Sequence, residues 1–262
     1  MSARPFHLAT WNVNSLRVRL PHLEAWLGTT GIDAIGLQET KLRDEEFPAE
    51  ELARLGLPGV WHGQRTYNGV ALLARGAVTE VVRGIPGFAD EQARVIAGTV
   101  EGIRIIDVYV PNGQSVGSDK YEYKLRWLEA LRNYLSDALK TWEKLAVLGD
   151  FNVAPEDRDV HDPKAWEGQV LVSPAERQAL ARLNDLGLVD LFRRFPQADK
   201  SYSWWDYRAA AFRRNAGLRI DLILASPTLA TTCTACRIDP TPRRAERPSD
   251  HTPVIATFDL SA

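Results

Sequence analysis

The chain has 262 residues, 45% hydrophobic and 25% charged, with a net charge of −2. That is ordinary globular composition, and no apolar run approaches the ~20 residues needed to span a membrane. The length allows one large α/β domain or two small ones; no Pro/Gly/Ser linker or low-complexity segment divides it, so one domain over residues 1–262 is expected.

The first strand is read at residues 6–13 (FHLATWNV), which leaves no room for a signal peptide, so a cytoplasmic location is expected. Helical spacing follows over 17–28 at Leu20, Leu23 and Leu27, closed by Gly28. A second strand is read at 33–38 and a helix at 45–55. From Val60 to Val110 the pattern is mainly β, with a tight hairpin turn at Glu101-Gly102. Tyr123, Trp127, Leu128, Leu131, Leu135 and Leu139 mark a long amphipathic helix over 119–141.

Next comes an apolar run, Leu145 to Leu148, stopped by Gly149 and read as a buried strand. Residues 155–172 form a long polar loop. Ser173, Pro174 and Glu176 then mark a capped helix start, with the helix running to about Gly187 and a further helical turn at 188–195. Strands are read at 201–207, 218–225, about 233–238 and 253–260. The tally of strands, helices and hairpins fits two mixed β-sheets packed face to face with helices outside, a four-layered α/β sandwich. Cys233 and Cys236 form a lone C-x-x-C in loop and strand, read as two unpaired thiols.

The net charge does not advertise nucleic-acid binding, but basic residues cluster beside strands that carry acids. Arg17 and Arg19 follow the first strand, and Lys41 and Arg43 the second; Arg213, Arg214 and Arg219, then Arg243, Arg244 and Arg247, precede late strands. If those loops share one face, the cations do too.

Four stretches carry chemistry. In the first, Asp150 and Asn152 leave a strand two residues apart, on one side if the chain stays extended. The crevice at the carboxyl ends of strands is where open α/β sheets bind ligands. An Asp there can deprotonate water or hold a hard metal, and an Asn can orient that water or a phosphate oxygen. Asn12 and Asn14 also share a face, though alone they read as turn-forming asparagines. Glu39, ending the second strand, suits either a divalent cation or an ion pair with Lys41. His251 neighbours Asp250, and Asp221 sits in the apolar run LRIDLIL. A buried acid is expensive unless paired, and gripping an imidazolium would offset that cost and raise the histidine pKa.

Taken together, WNVNSLR from Trp11, LQETK from Leu37, YVPN from Tyr109, GDFN from Gly149, LRIDLIL from Leu218 and SDH from Ser249 resemble the exonuclease III family of abasic-site endonucleases. That family lies within the exonuclease–endonuclease–phosphatase superfamily. The resemblance runs from about Phe6 to Phe258, and VWHGQRTYNGVALL and ERPSDHTPV are similar to its bacterial branch.

The resemblance implies a Mg²⁺-dependent nuclease, with Mn²⁺ as a substitute. It would cut duplex DNA 5′ to abasic sites, with 3′→5′ exonuclease and 3′-end-cleaning activity. It implies Asp150 as the base, Asn12 and Asn152 positioning water and phosphate, and Tyr109 bonding the phosphate or leaving oxygen. Asp221 and His251 become an acid–imidazole pair on the phosphate. The implied metal set is Glu39, Asn14, Asp150, Asn152, Asp250 and His251. Asn112, Lys41, Arg213 and Arg214 would meet the DNA, and Trp204 and Leu218 would wall a pocket for a flipped abasic sugar. The implied protein is a monomer of the bacterial cytoplasm, meeting the nucleoid through DNA and no membrane. A lipid or inositol phosphodiesterase, or an inactive DNA-binding module, are the competing readings; a substrate panel separates the first and a metal-dependent cleavage assay the second.

Overall fold

The computed structural model describes residues 4–261, and in them the strands assemble into two six-stranded sheets. In the first part of the chain the elements are β1 (Phe6–Asn12), α1 (Leu16–Thr30), β2 (Ala34–Gln38), α2 (Ala49–Arg54), β3 (Gly59–His62), β4 (Val70–Ala74), β5 (Thr79–Arg83), β6 (Val95–Val100) and β7 (Ile103–Tyr109). Then follow α3 (Asp119–Thr141), β8 (Leu145–Asp150), α4 (Pro163–Trp166), α5 (Pro174–Asn184), β9 (Val189–Asp190), β10 (Asp221–Ala225), α6 (Pro227–Thr231), β11 (Cys233–Ile238) and β12 (Val254–Phe258).

The sheet orders are β11-β12-β1-β2-β4-β3 and β5-β6-β7-β8-β10-β9. Each sheet contains one parallel pair, β1–β2 joined through α1 and β7–β8 joined through α3; the other pairings are antiparallel. Strand alternation divides the apolar residues between faces. Leu8, Leu72, Ile105, Leu148, Ile223 and Phe258 pack between the sheets. Leu23 and Leu27 of α1 pack with Trp11 and Leu37 of the first sheet, and Val147 packs with Trp127, Leu131 and Leu180 of α3 and α5. The layers are helix, sheet, sheet, helix, the four-layered sandwich expected. No helix of the described residues is long and apolar enough to cross a membrane.

Several expectations need correction. The first helix passes through Gly28 and stops at Gly31, whose φ of 63° gives the left-handed cap that a helix end favours. The helix expected over 45–55 is divided by Pro48 into a 3₁₀ turn (Asp44–Glu46) and α2. Residues 188–195 form β9 and a 3₁₀ turn, Phe192–Arg194, rather than one helical turn. Residues 201–207 are not a strand: Trp204 makes only isolated bridges to Leu218 and His251. The strand expected over 218–225 begins at Asp221, so that acid stands at a strand end and not in its middle. Helix α6 was not expected, nor was the short helix α4 inside the 155–172 loop.

Where local chemistry was explicit, elements form as read. Glu101 and Gly102 have φ of 48° and 76°, the two left-handed residues of a tight hairpin turn. Ser173 and Glu176 form a reciprocal capping box with Pro174 in the first turn. Cys233 and Cys236 are free and buried.

Candidate active site

Parallel pairing aligns strand ends. Asn12 of β1 lies opposite Gln38 of β2, and Tyr109 of β7 opposite Asp150 of β8, so Glu39, one residue beyond β2, stands with Asn12, Tyr109 and Asp150 at the carboxyl end of both pairs. Asn12 joins the two sheets here. Its Nδ2 donates to Glu39 Oε1 and to Asp150 Oδ2, both at 2.9 Å, while Ser249 Oγ donates to its backbone oxygen at 2.7 Å. One carboxamide thus holds two carboxylates from opposite halves of the molecule.

Asp150 is buried among further donors. Asn152 N donates to its Oδ1 at 2.9 Å, and Asn152 Nδ2 donates to Val110 O at 2.9 Å and lies 3.3 Å from Asp150 Oδ2. The φ of 49° at Asn152 turns the chain back so that backbone and side chain both reach Asp150. Asn112 Nδ2 extends the line to Asn152 Oδ1 at 3.3 Å.

Across from Asp150 stands the imidazole. His251 Nδ1 is 2.9 Å from Asp221 Oδ2, and its Nε2 is 3.6 Å from Asp150 Oδ2. Asp221 is oriented in turn by Ser203 Oγ, which donates at 2.6 Å. Burial lowers the imidazole pKa, but the carboxylates of Asp221 and Asp150 outweigh it and raise it to about 10. Burial pushes Asp150 up to about 7; the nearby His251 cation opposes that and Asp221 adds to it. The Tyr109 phenol is raised well above its ordinary value by burial, then by Glu39 and Asp150. The carboxylates thus favour the charged imidazole, while burial favours the protonated forms of the phenol and of Asp150.

Glu39, Asp150 and His251 offer ligand atoms within 4.8 Å of one another, among the described residues. Of these, the two carboxylates are the hard oxygen donors, and the imidazole is already engaged by Asp221 through Nδ1. Two acids gathered on one amide, one from each sheet, fit a hard cation that takes one or two carboxylates and keeps its waters. Lys41 Nζ lies 2.9 Å from Glu39 Oε2 and donates to Asn14 Oδ1 at 2.5 Å, so the ion pair read from the sequence is present beside that set. Asn14 Nδ2 donates to Asp250 Oδ1 at 2.9 Å. Burial raises Asp250, but nearby His251 and the hydrogen bonds from Asn14 and Trp204 outweigh it and hold the pKa low.

Trp204 is half-buried, with Nε1 donating to Asp250 Oδ2 at 3.0 Å, while Trp205 packs inward on Phe212. Leu218 is fully buried, bridged to Trp204 and Val160 within an apolar cluster. It supports Trp204 from behind and presents no open face. Arg213 and Arg214 are exposed and bond to none of these side chains. Arg219 is not a surface cation: it is buried between Asp159 Oδ1 at 2.6 Å and Asp190 Oδ2 at 2.8 Å. Sequence reasoning missed Ser203, Ser249 and Lys124. A buried acid in an apolar strand signals that some partner exists, but not that Ser203 is one.

The sequence pattern of the Endonuclease/Exonuclease/phosphatase family matches residues 9–251. Exodeoxyribonuclease III of Haemophilus influenzae is 37% identical over 95% of this chain and 98% of its own. Among solved structures, a 3′ phosphatase from Neisseria bound to a product DNA hairpin is 45% identical with a TM-score of 0.95, covering 97% of this chain and all, 100%, of its own. An AP endonuclease from Archaeoglobus fulgidus is 38% identical with a TM-score of 0.94, over the same 97% and 100%.

Proposed function

The chain belongs to the Endonuclease/Exonuclease/phosphatase family, on its exonuclease III branch, and from that membership and the site chemistry we propose a Mg²⁺-dependent DNA repair phosphodiesterase that cuts duplex DNA 5′ to abasic sites and also trims or cleans 3′ ends. It is a nuclease of a metal-dependent family; the ion, the lesion and the residue roles are our reading. The observation that carries it is the Asn12 amide clamped between Glu39 and Asp150, with the Asp221–His251 pair facing Asp150.

Phosphodiester hydrolysis needs a water in line, charge stabilisation on non-bridging oxygens and help for the leaving oxygen. Asp150 takes the proton of the attacking water; Asn12 and Asn152 orient that water by donating to Asp150 and ranging beside it. His251, whose Nδ1 is held by Asp221, donates to a phosphate oxygen through Nε2, and that nitrogen also stands at the border of the metal set. The Tyr109 phenol, protonated at neutral pH, donates to the phosphate or leaving oxygen. Glu39 and Asp150 would hold the divalent cation, with Asn14 and Asp250 at its border; bound there, it supplies positive charge to the phosphate and leaving oxygen. Asn112, Lys41, Arg213 and Arg214 meet the DNA backbone, and Trp204 faces the flipped sugar. The chain acts as one domain and as a monomer.

The relatives with 3′-phosphatase and AP-endonuclease names make the substrate the point to test. A time course on matched abasic, nicked and 3′-phosphate duplexes, with Mg²⁺, Mn²⁺ or EDTA, is the experiment. Incision 5′ to the abasic site that EDTA abolishes and Mg²⁺ restores is the expected result. Full activity in EDTA, or turnover confined to inositol phosphates, refutes the proposal.

A further inference from the structure

Lys124 lies in the second turn of α3, and its side chain is wholly buried, as is that of Glu176. An ammonium has three N–H donors, and all three are used. One goes to Glu176 Oε1 at 2.5 Å, one to Asn152 O at 2.6 Å and one to Asn112 O at 3.1 Å. Both carbonyls belong to residues whose side chains line the site, 3.3 Å apart at Asn112 Nδ2 and Asn152 Oδ1.

Glu176 is equally engaged. Its Oε1 accepts from Leu171 N at 3.0 Å, and its Oε2 accepts from Ser173 N at 3.1 Å and Ser173 Oγ at 2.5 Å. The pair therefore ties four segments together: the turn after β7, helix α3, the turn after β8, and the end of the 155–172 loop where α5 begins. The turn after β7 closes around the lysine stem. Gly113 has φ of 94°, and a Cβ there would sit 3.1 Å from Lys124 Cδ.

Stability alone is a weak reason for such a pair. Removing two charges from water is costly, and a well-packed apolar pair of similar volume is often as stable or more so. What an apolar side chain lacks is the ability to hold two carbonyl oxygens at a fixed separation. Those carbonyls need holding, because Asn152 occupies the left-handed region, uncommon for a residue with a side chain, at the point where it turns both its N–H and its amide onto Asp150.

We propose that Lys124 is a positioning residue for the cleavage reaction: its buried ammonium fixes the backbone at Asn112 and Asn152, and through them the register of the scissile phosphate against Asp150. This rests on the proposed nuclease reading, in which Asn112 and Asn152 face the phosphate. Displacements of about 1 Å at a reacting centre cost up to 10²-fold in rate, so the effect belongs in kcat more than in DNA affinity.

The test uses the full chain with Mg²⁺ on a 3′-phosphate duplex and an abasic duplex. Removing one charge alone strands the other, so the main variant is the neutral pair Lys124→Met/Glu176→Gln, read against Lys124→Arg with Glu176 intact. The expected result is a folded neutral pair whose kcat falls by about 10-fold or more with KM within about threefold, and an arginine variant that recovers most of the rate. If the neutral pair does not fold, a second charge-free pair, Lys124→Met/Glu176→Leu, is read the same way. A folded variant with wild-type kcat, or a loss confined to KM, overturns the proposal. An inactive wild-type chain on both duplexes would instead break the nuclease reading, so the two failures are distinguishable.

Discussion

In the first sheet the parallel pair β1–β2 ends at Asn12 and Gln38, with Glu39 next in chain; in the second the pair β7–β8 ends at Tyr109 and Asp150. Each pair is joined by a helix on the outer face of its sheet, and each delivers one carboxylate to the cleft between them. The plan is the same and the environments differ. The Glu39 side chain keeps 17% of its surface and has Lys41 beside it, whereas that of Asp150 keeps 1% and its cationic neighbour is the Asp221-bound His251. A repeated topology thus supplies two acids, and burial decides what each can do. A carboxylate open to water can share a hydrated cation; a buried one held near neutrality can exchange a proton.

That division is broken most directly at the buried acid. Asp150→Asn keeps the shape and one acceptor oxygen for Asn12, turns an NH2 toward Asn152 N, and removes the proposed base, so cleavage should fall by about 10² or more. DNA binding should remain close to wild type. Single-turnover rates beside a binding titration separate the two, and a barely affected rate would place the base elsewhere.

At the open acid the expected effect is a changed metal requirement. Glu39→Gln should demand far more Mg²⁺ for half-maximal rate, with the loss partly recovered at saturating metal, while Asp150→Asn should not recover. A Mg²⁺ titration of both variants sharpens the comparison. Full recovery of Asp150→Asn at saturating metal would mean that Asp150 serves only to hold the cation and that the base lies elsewhere.

These contrasts show what was legible beforehand. Glu39, Asp150 and His251 each stand at the border of an apolar run, where a charged residue is conspicuous, and the need of Asp221 for a cationic partner follows from the cost of a buried charge. Lys124 was not legible: in a helix of mixed polarity a lysine reads as solvated, and only tertiary packing of α3 against the two site turns buries it. The same limit explains residues 201–207, which read as a strand. Trp204 and Trp205 do point to different environments there, but the segment pairs with Leu218 and His251 through single bridges only. It also explains Leu218, whose burial depends on Val160 from a loop that no local pattern describes.

A smaller effect is expected at Trp204, the half-buried aromatic beside Asp250. Trp204→Ala should lower the ratio of cleavage rates on abasic and intact duplex by more than it lowers the melting temperature. Truncation removes a wall, while the apolar cluster of Val160, Leu171, Leu218 and Ile220 behind it remains. An unchanged ratio with a collapsed melting temperature would make Trp204 a packing residue and move the lesion choice elsewhere.

The smallest effect lies one layer beneath the cleft, where the sheets meet through polar groups of unequal standing. Gln38 Nε2 donates to Thr10 Oγ1 at 2.8 Å in the first sheet and to Asp107 Oδ1 at 2.6 Å in the second. Asp107 is fully buried, with no basic side chain within ion-pair distance among the described residues, and burial raises its pKa well above the ordinary value, against the opposing bond from Gln38. The sign follows from linkage. A folded-state pKa raised above the unfolded value of about 3.9 gives a stability contribution that is complete below that value and is lost as pH rises through the folded pKa. At neutral and alkaline pH the unfolded chain is favoured by ionising this group. Asp107→Asn is neutral at every pH and keeps an oxygen for Gln38. It should leave stability near wild type at pH about 4 and raise it by about 1–2 kcal/mol near pH 8, the order of relieving one poorly satisfied buried group. That corresponds to a melting temperature higher by a few degrees in a chain of this size. Thermal unfolding of the two proteins across pH measures the difference; a gain that is the same at both ends would assign it to packing and not to the charge.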